Sequence, residues 1–127
     1  MAYYEYAGNM HVHSTYSDGT LPHSEIARAA AAAGLSFVIV TDHNLWVDGL
    51  EDYYDGVAVL IGEETHDVRR NPQSNHMLVY NANCELARNA GDPQQLVDEV
   101  NQHGGLSFLA HPIEYGSRIG PRLQAIP

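Results

Sequence analysis

His11 and His13 stand two residues apart, and Asp18 follows them closely. Asp42-His43, Glu63-Glu64 and His111-Pro112 repeat the same chemical theme further along the chain. Residues two apart on a strand point to one face, so His11 and His13 can grip one metal ion or two adjacent ones. Mixed imidazole and carboxylate donors suit zinc, manganese or iron and do not choose among them. Two close ions of that kind would lower the pKa of a water and supply hydroxide near neutral pH. A lone His-x-His on an exposed strand is ordinary surface. The signal here is repetition, because the chain holds eight histidines in 127 residues and several follow directly on apolar runs.

Other reactive side chains have plainer readings. His23 falls in a first helical turn and is expected exposed. His103 falls in a last turn, where a cation suits the helix dipole. His66 is two residues beyond Glu64 and can share its face, but reads as structural. Cys84 reads as a buried or neutral surface thiol, since no basic residue flanks it, and Tyr3, Tyr4 and Tyr6 read as packing.

The elements that must position these groups follow from pattern. Residues 9–14 read as a short strand and 15–20 as a loop containing Ser17-Asp18-Gly19. Pro22 suits a helix start and Gly34 a helix stop, with Ile26, Ala29, Ala30 and Ala33 at helical spacing between them. Apolar runs at 37–40, 57–61, 77–80 and 106–110 read as buried strands, the second closed by Gly62. Residues 46–55 read as a short helix or loop, and 69–75, with Pro72, as a loop. Asp92-Pro93 opens a helix striped by Leu96, Val97 and Val100, and Gly104-Gly105 stops it.

Buried strands alternating with helices predict an α/β fold with a parallel sheet, either open and doubly wound or a barrel. The C-terminal ends of parallel strands gather on one face, where active sites form. His11, His13, Asp18, His43, Glu64 and His111 should therefore converge. His76 breaks the rule, because it precedes its apolar run, and only a strand that reverses or bulges would bring it back.

Composition narrows the functional classes. Six basic and sixteen acidic residues give a formal net charge of −10, and no residue is lysine. That balance argues against direct nucleic-acid binding, since phosphate backbones need Lys or Arg. The length suits a single domain with a core, 44% hydrophobic residues argue against disorder, and one cysteine excludes an internal disulfide. No apolar run approaches the about 20 residues of a membrane span, and the N-terminus lacks a signal-peptide pattern. A soluble, cytoplasmic protein is the default expectation. The absence of lysine also removes the carboxylated-lysine bridge of many amidohydrolases and leaves carboxylate-bridged arrangements.

At His11-Val12-His13-Ser14, Ser17-Asp18-Gly19 and Thr41-Asp42-His43-Asn44 the chain resembles the PHP (polymerase and histidinol phosphatase) superfamily. The resemblance runs on through Gly62-Glu63-Glu64, Asn75-His76-Met77-Leu78 and Ala110-His111-Pro112, and looks most like the stand-alone metallohydrolases of that family. It implies a distorted (β/α)7 TIM-like barrel holding up to three divalent ions. His11 and His13 match the first ligand pair, Asp18 and His43 match ligands of a separate metal, and Glu64 matches a carboxylate bridging two metals. His76 and His111 match two further ligands. Glu63 is then a neighbour of the bridge, and Asp42 an outer group that orients a histidine or a metal-held water. The family closes its site with a late Asp-x-His pair, which does not occur before Pro127. Residues 1–127 are thus expected to be a single, C-terminally truncated PHP-like domain with an incomplete barrel.

The function these readings imply is metal-dependent hydrolysis, foremost of a small phosphate ester, with Asp42, His43 and Glu64 as the catalytic set. Up to three dications would bring up to about +6 to an otherwise acidic chain. Arg69, Arg70 and Arg118 follow ligand motifs and could clamp a phosphate, although a surface role is the plainer reading for each. The alternatives are a metal-binding but non-catalytic module and a PHP-like hydrolase of carbamate, amide or ester bonds. The expected partner is a small-molecule substrate, with no nucleic acid and no membrane.

Overall fold

The computed structural model describes residues 2–70 and 76–112. Strand β1 (Gly8–Val12) leads to helix α1 (His23–Ala32), then to β2 (Phe37–His43), β3 (Asp52–Tyr54), β4 (Val57–Thr65) and β5 (Met77–Tyr80). A 3₁₀ turn at Ala87–Asn89, helix α2 (Pro93–Gln102) and β6 (Leu106–Leu109) complete the described chain. All six strands join one curled sheet ordered β1-β2-β4-β5-β6, with β3 paired to β4 off this path. The class is mixed α/β, and the described residues form an open half-barrel whose terminal strands are β1 and β6.

The sheet is not parallel throughout, contrary to the pattern of its apolar runs. β1, β2 and β4 are parallel, but β5 runs antiparallel to the last residues of β4, with Thr65 opposite Met77 and Glu64 opposite Leu78. β6 reverses again. A fully buried strand is apolar on both faces whichever way it runs, so periodicity carries no sign of direction.

Two boundaries also move. β2 and β4 continue in register through Thr41–Gly62, Asp42–Glu63 and His43–Glu64, so these polar residues are the last rungs of strands and not loop residues. Gly62 does not close β4. It sits where a Cβ would come 2.8 Å from the Val79 carbonyl and 3.0 Å from the Tyr80 ring, which is the close approach that glycine permits. Residues 46–55, expected as helix or loop, contain β3. Its missed signal is Asp55-Gly56, a two-residue hairpin turn with both φ angles positive, 51° and 83°.

Both helices form where expected, but Ala29 of α1 and its C-cap Ala33, expected on the apolar stripe, are exposed and Ala27 takes their place on the buried face. Asp92 caps α2 by accepting from the backbone N–H groups of Gln94 and Gln95, both at 3.1 Å. Ile26, Ala27 and Ala30 of α1 pack on Val38, Val40, Val57 and Val59. Leu96 and Val100 of α2 pack on Val79, Ala82 and Leu86. The sheet's other face holds a smaller cluster of Ile39, Leu78, Tyr80 and Ala110. Leu60, Leu106 and Phe108 are register partners of that cluster's residues, yet they remain exposed on the half-barrel's inner side. Tyr3, Tyr4 and Tyr6 are exposed too and pack no core, because they precede β1.

Candidate metal centre

Each strand that ends near this side of the sheet delivers one or more ring nitrogens to Glu64. Glu64 lies on the penultimate rung of β4 and is fully buried. Its Oε2 is 3.0 Å from His11 Nε2, 3.1 Å from His13 Nε2 and 3.3 Å from His43 Nδ1. Its Oε1 accepts from His76 Nδ1 and His111 Nε2, both at 2.9 Å. The two oxygens thus divide five histidines between them. Burial opposes ionisation of Glu64, but hydrogen bonds from His13, His11 and His111 outweigh it and hold the carboxyl well below its ordinary range.

The reversed β5 explains His76. Because Met77 pairs with Thr65, the residue before β5 lies at the same end as the last rungs of β4. His111 follows β6 and holds a φ of 28°, a left-handed value unusual for a non-glycine residue and of the kind found at functional sites.

Asp18 reaches the cluster from the β1–α1 loop and is 68% exposed, with its oxygens 3.6 Å from His13 Nδ1 and from His43 Nε2. Asp42 builds that loop. It is buried and accepts from the Ser14 backbone N–H at 2.8 Å and from the Ser14 and Ser17 hydroxyls at 2.6 Å each. These bonds hold the loop, and none of them reaches a histidine ring. Gly19 lies against the His13 carbonyl, where a side chain would collide with backbone.

The residues fit divalent metal. A carboxylate oxygen has about two lone pairs, so three ring nitrogens around Oε2 exceed what it can accept. His11 Nε2 and His13 Nε2 are also only 3.1 Å apart. Nitrogens crowded on one point are satisfied together as ligands of cations. Among the described residues, three groupings have donor atoms close enough to share an ion: His11, Glu64 and His111; His43, Glu64 and His76; His13, Asp18 and His43. The Glu64 bond raises the His13 pKa, whereas burial lowers that of His43.

Other expectations change on contact with the fold. His66, read as structural, lies beside the cluster, its ring stacked on His76 at 4.5 Å and edge-on to His43 at 5.1 Å. His23 is 3% exposed, because it extends the buried face formed by Ile26, Ala27 and Ala30, and burial lowers its pKa. That spacing of three, four and seven was legible in the sequence once His23 was counted with the apolar residues. Cys84 does have an imidazole beside it, with His103 ring nitrogens 3.6 and 3.8 Å from its sulfur. A sequence separation of 19 hides that contact from any local reading. Glu63 points away from the cluster and accepts from the Leu86 backbone N–H at 3.0 Å. Arg69 forms a two-pronged pair with Asp67 at 2.8 and 3.0 Å, and Arg70 lies 3.9 Å from the same carboxylate. Arg118 lies outside the described residues.

No curated relative matches this chain in sequence. Among solved structures, it is similar to a two-domain protein from Bacteroides vulgatus ATCC 8482 containing a predicted PHP-like metal-dependent phosphoesterase. The TM-score is 0.58 at 18% identity, and the match covers 91% of this chain and 37% of that one. At that identity the likeness speaks for the fold, and the chain spans well under half the length of that protein. The PHP domain family matches residues 9–109, which is most of the sequence and contains every ligand candidate except His111. The chain belongs to the PHP domain family.

Proposed function

We propose that this chain carries the metal centre of a hydrolase that cleaves small phosphate esters with an activated water. The observation that carries the reading is the division of the Glu64 oxygens among five histidines from four strands' ends. Divalent ions held by the three groupings would acidify water and neutralise phosphoryl charge. The chain's own residues have separable tasks. Glu64 joins two of the groupings, and His43 joins the Glu64 and Asp18 sides. Asp42, although buried, serves by fixing Ser14 and Ser17 and hence the loop that presents Asp18. The family and the predicted metal-dependent phosphoesterase in the structural neighbour support hydrolysis of a phosphate ester, and the donor set supports zinc, manganese or iron.

Elemental analysis of the purified chain beside His13→Ala tests this reading. Two or more ions per chain are expected, with fewer in the variant. The metal-loaded chain should hydrolyse 4-nitrophenyl phosphate and lose at least about 100-fold with His13→Ala. Cleavage of a 4-nitrophenyl carbamate or carboxylate ester in preference to the phosphate would move the assignment to those bonds. Ions bound without any hydrolysis would make the domain a metal-binding module.

A further inference from the structure

A cleft of about 340 Å³ lies beside the metal-ligand cluster and shares a wall with it. His66 is that wall, stacked on His76 and edge-on to His43. Asn44 fixes the junction, because its side-chain oxygen accepts from the His66 backbone N–H at 2.8 Å and its own N–H donates to the Glu64 carbonyl at 3.0 Å. Across the cleft stand Arg69, Arg88 and Gly91. Asp67 is the acidic residue of the lining, and Arg69 grips both of its oxygens. Arg88 sits on the 3₁₀ turn, is exposed, and has no ion-pair partner among the described residues. Two arginines against one aspartate leave this cleft positive in a chain of net charge −10.

We propose that this cleft binds a second anionic group of the substrate, carried on the portion that departs, and that Arg88 is its specificity-determining partner. The position rests on the metal-centre reading, since the shared His66 wall sets the anion beside the reacting bond. The charge argument does not. An unpaired guanidinium presents a planar fork to a carboxylate or a phosphate, while the Arg69–Asp67 pair forms a neutral edge of the same cleft. Both anion chemistries fit the fork.

Titration of the chelator-treated chain, followed by NMR at the Ala90 and Gly91 amides, tests the cleft without any metal. Inorganic phosphate and benzoate are the two probes and separate the two sources of negative charge. At least one should shift these amides saturably. Arg88→Gln should weaken that binding about tenfold, while Arg28→Gln on the exposed face of α1 and His13→Ala leave it unchanged. In the metal-loaded chain, the preference for 4-carboxyphenyl phosphate over phenyl phosphate should fall about tenfold with Arg88→Gln, while phenyl phosphate turnover holds. Neither probe binding, or equal binding to Arg88→Gln, would overturn the assignment. Saturable binding without hydrolysis of either ester would overturn the phosphoesterase reading and leave the anion cleft standing.

Discussion

Glu63 and Glu64 are adjacent, both fully buried, and their carboxyls are driven in opposite directions. Glu64 faces five imidazoles and stays ionised. Glu63 faces the Leu86 backbone on the other side of the sheet, where burial pushes its pKa up to about 7 against an ordinary 4.5. The backbone N–H groups of Leu86 and Ala87 do not repay the desolvation of a full charge. The folded value lies above the unfolded one, so the stability it permits is complete below about pH 4.5 and is lost as pH rises through about 7. The 2.5-unit difference corresponds to about 3 kcal/mol. Urea unfolding of the chelator-treated chain should therefore show a decline of that order between pH 5 and 8. Glu63→Gln should flatten this decline, and an unchanged slope in the variant would refute the buried-acid explanation.

The rungs Gly62, Glu63 and Glu64 of β4 do different work because they alternate faces between β2 and the reversed β5. Gly62 lets β5 approach, with the Val79 carbonyl, the Tyr80 ring and a Thr41 methyl all crowding its missing side chain. Gly62→Ala should cost about 2 kcal/mol by overpacking, seen as a lower midpoint in thermal unfolding. The same variant should weaken metal retention, because β5 carries His76 towards Glu64. A variant with wild-type stability would mean that β4 and β5 have more room than their register implies. Every described strand except β3, and both helices, were legible from apolar runs, from the Asp92-Pro93 start and from the Gly34 and Gly104 stops. The direction of β5 was not, since strand direction is set by which distant backbone it bonds.

Across the whole molecule, the ligand candidates come from β1 and the loop after it, β2, β4, the residue before β5 and the residue after β6. Ions bound there would tie together nearly every strand of a half-barrel whose inner face leaves Leu60, Leu106 and Phe108 exposed. Binding to the folded state alone stabilises it by about 2.7 kcal/mol at a free ion concentration one hundred times the Kd. Manganese or zinc should raise the unfolding midpoint of the chelator-treated chain, and His13→Ala should shrink that rise. No shift with any of these ions would separate the cluster from metal binding.

Sequence alone determined the donor types, their order and the local elements that carry them, because helix caps, turn dipeptides and apolar runs act over a few residues. His-x-His, Asp-His and Glu-Glu supplied the candidate donors, and the half-barrel brings His11, His13, His43 and Glu64 together. Tertiary structure alone decided that β5 reverses to return His76. It also decided that Asp42 serves two serines, that His23 is buried, and that Cys84 meets His103. Each of these depends on backbone pairing or packing between segments distant in the chain. Such contacts are selected by the energy of the assembled sheet, and no short window of sequence contains it.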